Sequence, residues 1–286
     1  MIDLHVHSTF SDGTFTPEEL VAEAADTGVK VLALTDHDTT DGGVSFLEAC
    51  RASEGRVAGI PGLELSVQHP RRTVHVLGYF VDPGEVGLQA ILRRIRAGRH
   101  ERNLEMIEKL RALDVAIDFQ AVAQAAGGDV IGRPHFAAVL RDLGVVQSTK
   151  EAFDRFLARG RAGYAERYRP APEDGIAAIR GAGGVAVLAH PGGLQLGKRG
   201  LRILLAPLVE AGLEGIEAYY PEHSSQHRRR FATLAEEFGL IQTGGSDFHG
   251  SANPKLRMGR GFGRLDVPES AVSDLVARAG VPWPQP

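Results

Sequence analysis

The chain has 286 residues, is 43% hydrophobic and 24% charged, and carries a formal net charge of −4. That length holds a large core in one or two domains, and a single α/β barrel with an insertion fits it; the charge excludes the broad basic footprint of a duplex-coating protein but leaves room for a local basic pocket. No stretch is apolar for long enough to span a membrane, the N-terminus lacks the features of a secretory signal, and the one cysteine, Cys50, cannot form an internal disulfide, so the composition points to a reducing cytoplasm.

Short β runs alternate with helical stretches. Ile2–Val6 reads as the first strand. A helix follows Thr16, with Pro17 in its first turn and Glu18 and Glu19 at its positive end. Val29–Leu34 is the second strand, Gly42–Ser53 a helix that buries Cys50, and Val57–Leu65 and Thr73–Phe80 are the third and fourth strands. From Glu85 to Arg161 the rhythm breaks: Leu88–Leu113 reads as one or two long helices, followed by shorter ones at Phe119–Ala126, His135–Leu143 and Lys150–Leu157. The alternation then resumes with a helix at Pro172–Ala182, a strand at Gly184–Ala189, a helix at Leu201–Ala211, a strand at Gly215–Tyr219, a helix at Ser224–Phe238 and a strand at Leu240–Gly244. The basic, glycine-rich stretch Arg257–Arg264 reads as a loop without the strand-turn-helix setting of a dinucleotide site. Pro282–Pro286 is a short, Pro-rich, disordered end. Continuous apolar strands separated by helices imply a parallel sheet or barrel with right-handed crossovers. The expected division is a barrel from 1–84 and 162–286, with 85–161 as a helical insertion that caps the substrate.

The chemistry is concentrated at strand ends. His5 and His7 are two apart in a strand, so both imidazoles project to one side near its C-terminal end, where α/β barrels place their active sites. Two satisfied core histidines are the bland alternative, but adjacent unpaired imidazoles are costly to bury. Asp12 follows the same strand and alone would be a turn residue. His37 lies in Thr35-Asp36-His37-Asp38 after the second strand, and Glu64 ends the third between two leucines. His75 opens the fourth strand, His190 ends the apolar run Val185–Ala189, and Asp247 and His249 repeat the alternating spacing after the last strand. Structural accidents would not favour one end of the strands, whereas a shared metal cluster explains all nine positions. Nine ligands exceed the needs of one tetrahedral zinc and suit two or three divalent ions, such as manganese, iron or zinc.

The motifs Asp3-Leu4-His5-Val6-His7-Ser8, Ser11-Asp12-Gly13, Leu34-Thr35-Asp36-His37-Asp38, Gly62-Leu63-Glu64, Ala189-His190-Pro191 and Gly245-Ser246-Asp247-Phe248-His249 resemble, in order, those of the polymerase-and-histidinol-phosphatase (PHP) family of the amidohydrolase superfamily. The chain is most similar to the branch that removes the 3′-phosphate from 3′,5′-bisphosphate nucleotides such as pAp, some of whose members are 5′-to-3′ exoribonucleases on short RNA. The resemblance implies a distorted (β/α)7 barrel with three metals, manganese foremost. It assigns His5, His7, Glu64 and Asp247 to the first ion, Asp12, His37 and His249 to the second, and His75 and His190 to the third, with Glu64 bridging.

Arg99 and Arg102 share a helix face and Arg133-Pro134-His135 stands at a helix start, where backbone N–H groups favour anions. On residues alone these are a solvated basic face; the resemblance makes Arg99, Arg102, Arg133 and His135 the expected grip on the substrate phosphate. Tyr219, Tyr220 and Phe248 are candidate base-stacking aromatics, while His69, His100, His223 and His227 read as surface or structural. The expected chemistry is metal-assisted hydrolysis, with Asp247 and His190 as candidate proton carriers to the leaving ribose oxygen. The partner is a small phosphorylated nucleotide or short single-stranded RNA, with no duplex DNA and no membrane. Two other readings stand beside it: a different monoester phosphatase, such as one for histidinol phosphate, and a non-catalytic metal-binding PHP module.

Overall fold

Seven strands build one curled, mixed sheet in the order β1 (Ile2–Val6), β2 (Val31–Leu34), β3 (Ala58–Val67), β4 (Val74–Tyr79), β5 (Val185–Leu188), β6 (Gly215–Tyr219) and β7 (Ile241–Gly244). They belong to a computed structural model that describes residues 1–69, 74–126 and 130–284. Thr73, expected at the head of the fourth strand, and Gln285 and Pro286, in the expected disordered end, lie outside the described residues.

The strands are not all parallel. β4 runs antiparallel to both β3 and β5, which corrects the all-parallel expectation. Only residues 68–73 join β3 to β4, and a parallel crossover needs a dozen residues or more. Strict strand-helix alternation fails at the same point. Beyond β7 the chain turns back onto β1: His7 N–H donates to Phe248 O and Asp247 N–H to His5 O, so the segment carrying Asp247 and His249 lies against the strand carrying His5 and His7.

Helices α1 (Pro17–Thr27) and α2 (Gly43–Ala52) cover one side of β1 and β2, burying Leu20, Val21, Ala24, Phe46 and Cys50 against Val6, Leu32 and Leu34. Thr16 caps α1 in a capping box with Glu19. Cys50 sits so close to β3 that a Cβ on Gly59 would fall 2.7 Å from its Sγ. A second core joins Leu4, Ala33, Ile60, Leu77, Tyr79 and Val187 to Ala271, Val272 and Leu275 of the last helix, α10 (Ser270–Ala279). That helix was not anticipated, although its apolar positions already have helical spacing.

The remaining helices, in chain order, are α3 (Val86–Arg111), α4 (Phe119–Ala126), α5 (Arg133–Asp142), α6 (Thr149–Ala152), α7 (Pro172–Gly181), α8 (Lys198–Glu210) and α9 (Ser225–Phe238). A single π turn, Phe153–Leu157, continues α6. The chain divides into two compact units, Met1–Leu92 with Pro170–Pro286, and Arg93–Arg169. The second has its own core, in which Met106, Leu110, Val122, Phe136, Leu140 and Leu157 are fully or almost fully buried. Among the described residues no helix is long and apolar enough to cross a membrane.

Candidate metal centre

All nine candidate ligands of the first unit meet at one rim of the sheet. His5 arrives on β1 and His7 directly after it, but not by simple alternation: the pairing with β2 slips by one residue between Asp3 and Val6, a bulge of the kind that re-aims side chains beside functional sites. Asp12 and His37 come from the loops after β1 and β2. Glu64 lies inside β3, which continues to Val67, not at its end as expected. His75 is the second residue of β4; because that strand is reversed, its beginning lies at the rim where the parallel strands finish. His190 follows β5, and Asp247 and His249 follow β7.

Their ligand atoms converge. Three groups of side chains can each offer one atom apiece within 4.8 Å of the others: His5, His7, Glu64 and Asp247; His7, Asp12, His37 and His249; and His37, Glu64 and His75. His190 joins the last group, its Nε2 2.8 Å from Glu64 Oε1 and 3.4 Å from His75 Nδ1. Glu64 is at the centre and 0% exposed. Its Oε2 lies 3.3 Å from His5 Nε2, 3.3 Å from His7 Nε2 and 3.0 Å from His37 Nδ1. Yet Glu64 Oε2 and His37 Nδ1 have no hydrogen-bond partner among the described residues. His5 Nε2 and His7 Nε2 also face each other at 3.1 Å. Lone pairs that converge on a buried point without protons to share fit a cation, which explains such orphaned groups.

The electrostatics follow from the same packing. Burial alone would lower the His5 imidazole, but Glu217, Asp247 and Glu64 hold it well above its ordinary value. Burial alone would raise Glu64 and Asp247, but the surrounding imidazoles hold both carboxyls well below the usual range. His75 is pushed down, chiefly by burial.

A second tier of carboxylates fixes the rim loops. Asp3 accepts from Ser246 N–H and its hydroxyl, at 2.8 and 2.6 Å. Asp36 does the same for Ser8, at 2.7 and 2.6 Å, and Asp38 for Ser66, at 2.8 and 3.1 Å. Each clamp ties one strand end to its neighbour. Two further rim residues were missed. Glu217 of β6 is 0% exposed and accepts from His5 Nδ1–H at 2.9 Å and from His190 N–H at 2.6 Å. Tyr220, considered only for stacking, donates its hydroxyl to Asp247 Oδ2 at 2.9 Å. A lone carboxylate between Ile216 and Ala218 was the available signal for Glu217. Phe248 is corrected: its ring is buried against Phe15 and Leu256 in the α1–α2 core, so it cannot stack on a base. His223 is structural, since its Nδ1–H donates to Ala218 O and its Nε2 accepts from Gly192 N–H.

The helical unit gathers a different cluster. Arg102 on α3 is 5% exposed. Its Nη2 reaches Ile131 O at 3.3 Å, and its Nε has no hydrogen-bond partner among the described residues. Burial, then the charges of Arg167, Arg99, Arg133 and Arg169, push its guanidinium down to about 9. Arg99, Arg102 and Arg133 were expected together; Arg167 and Arg169, from an irregular segment, were not. Arg133 donates to Leu157 O at 3.3 Å, and its guanidinium lies over the rings of Phe153 and Tyr164. His135 caps its own helix, its Nδ1 accepting from Gly132 N–H at 3.1 Å. A buried cation among cations is suited to an anion.

Comparison with known proteins points the same way. Residues 3–165 match the PHP domain family. The chain is 41% identical over 252 residues to a 3′,5′-nucleoside bisphosphate phosphatase of Chromobacterium violaceum, covering 87% of each chain. It is 33% identical over 258 residues to the 5′-3′ exoribonuclease Rnm of Salmonella typhimurium, covering 90% of this chain and 88% of that one. The solved structure of an amidohydrolase from Chromobacterium violaceum superimposes with a TM-score of 0.83 at 37% identity, covering 97% of this chain and 96% of that one.

Proposed function

The chain belongs to the PHP domain family, and from that premise we propose that it is a metal-dependent phosphoesterase that removes the 3′-phosphate from 3′,5′-bisphosphate nucleotides. Short 5′-phosphorylated RNA is a second substrate of the same chemistry. The observation that carries this reading is the convergence of imidazole and carboxylate atoms around the buried, unpartnered Oε2 of Glu64.

Two or three divalent cations, manganese first among them, fit the rim. His5, His7, Glu64 and Asp247 would hold one, Asp12, His37 and His249 another, and His75, His190 and Glu64 a third. When bound they supply polarisation of the phosphoryl oxygens and activation of a water. The chain's own residues do the rest. The serine clamps of Asp3, Asp36 and Asp38 hold the rim loops in register, so the ligand atoms are placed before substrate arrives. Asp247, which Tyr220 orients, would take up the proton of the attacking water and pass it to the leaving ribose oxygen, with His190 as the alternative carrier. Arg99, Arg102, Arg133 and His135, joined by Arg167 and Arg169, grip the second phosphate. This second grip favours a bisphosphate over a simple monoester such as histidinol phosphate. A full set of ligand positions disfavours a non-catalytic module.

The test is one assay series with Mn2+-loaded protein given pAp, short 5′-phosphorylated RNA, AMP and histidinol phosphate, following phosphate and nucleotide release. Phosphate release from pAp but not AMP supports the reading, and preference for histidinol phosphate overturns it. Arg99→Ala weakens use of pAp far more than turnover of an aryl phosphate; equal losses would remove the case for the arginine grip.

A further inference from the structure

We infer that Glu217 is a positioning residue that sets two imidazoles of the cluster at once, fixing the tautomer of His5 with one oxygen and the backbone of His190 with the other. The inference rests on the metal-holding reading above. Glu217 belongs to none of the three convergent groups; it stands behind them, on β6, where the pairing with β7 slips between Glu217 and Tyr219. A fully buried carboxylate is costly unless its lone pairs are used, and both oxygens are used.

The first oxygen acts on His5. A carboxylate only accepts, so the 2.9 Å contact between Oε1 and His5 Nδ1 places the proton on Nδ1. In the neutral ring that metal ligation requires, Nε2 is then left as a lone pair. That nitrogen faces His7 Nε2, Glu64 Oε2 and Asp247 Oδ1 at 3.1, 3.3 and 3.4 Å. Glu217 thereby turns the basic nitrogen of His5 toward the site.

The second oxygen acts on His190. This residue has φ 26° and ψ 56°, a left-handed backbone that is rare for a side-chain-bearing residue. It also precedes Pro191, a position that favours extended backbone. Glu217 Oε2 accepts the His190 N–H in that conformation at 2.6 Å. The ring consequently reaches Glu64 Oε1. One carboxylate therefore couples His5, on β1, to His190, after β5, and aims both at Glu64.

Glutamine cannot replace it. An amide has one acceptor oxygen and one NH2, so either His5 Nδ1–H or His190 N–H would meet a donor. The test uses the full chain. For Glu217→Gln, Mn2+ affinity measured by competition with a fluorescent chelator falls about 10–100-fold, while the circular dichroism spectrum of the metal-free protein stays that of the wild type. Wild-type affinity in Glu217→Gln overturns the inference. The 15N spectrum of the unmutated protein loaded with diamagnetic Zn2+ tests it without a substitution: His5 carries its proton on Nδ1, and an Nε2–H ring ligated through Nδ1 contradicts the inference even if the variant fails to fold. A wild-type chain that binds no Mn2+ contradicts instead the metal reading itself, an outcome separable from loss confined to the variant.

Discussion

The two units solve opposite electrostatic problems. At the sheet rim, six imidazoles are interleaved with Asp12, Glu64 and Asp247, and each charge is offset by a neighbour. In the helical unit, Arg102 lies among Arg99, Arg133, Arg167 and Arg169, and burial, then their charges, push its guanidinium down to about 9. The first arrangement leaves lone pairs without protons and asks for cations. The second leaves Arg102 Nε and Arg169 Nε without an acceptor among the described residues and suits an anion.

The contrast can be broken from either side. The largest effect is expected at Asp247, which takes part in the first convergent group and accepts from Tyr220. Asp247→Asn lowers kcat/KM for pAp by at least about a hundredfold and reduces bound metal; kinetics with elemental analysis of the purified variant checks it. Arg102→Ala comes next. It costs about ten- to a hundredfold in kcat/KM for pAp, the worth of a charge-assisted hydrogen bond, yet leaves Tm unchanged or raised, because a buried, like-charged cation is removed. A large fall in Tm would show that the arginine supports the fold rather than a ligand.

Acidity sharpens the comparison. Although burial opposes it, nearby carboxylates hold His5, His37, His190 and His249 above their ordinary value of 6.5. In metal-free protein their protonated forms therefore contribute stability that is complete below 6.5 and is lost as pH rises through the raised folded values. Glu64 and Asp247 are held below their ordinary values of 4.5 and 3.8, so their contribution is present above those values and lost as pH falls through the lowered ones. Added Mn2+ works the other way at the imidazoles, since ligation requires their neutral form, and stabilises more at high pH. Thermal unfolding between pH 5 and 9, with EDTA and with Mn2+, checks both trends. The smallest effect is at Cys50, whose thiol burial pushes up to about 12: iodoacetamide leaves it unmodified in the folded protein, as mass spectrometry will show.

How far these features could be read from residues alone varies for physical reasons. The strands announced themselves as apolar runs, and the candidate ligands as polar residues at strand ends, because a rim site interrupts the core pattern at that point. The direction of β4 was hidden, since connection length and not composition decides it. His75 could still be singled out, but why it reaches the rim became clear only once the strand was seen reversed. Glu217 stayed out of sight because its partners, His5 and His190, are distant in sequence and meet it only in the curled sheet. Arg167 and Arg169 lie outside any helix face, so no periodicity linked them to Arg102. Phe248 was misjudged because its flanking residues Asp247 and His249 serve the rim while its own ring turns into the core.

The central claim is that the rim side chains converge to hold metal ions. An anomalous difference map from crystals of the full chain loaded with Mn2+ tests it most directly. Peaks are predicted among His5, His7, Glu64 and Asp247 and among Asp12, His37 and His249. A map at good occupancy of the protein, with ordered rim side chains and no peak at either place, would contradict it.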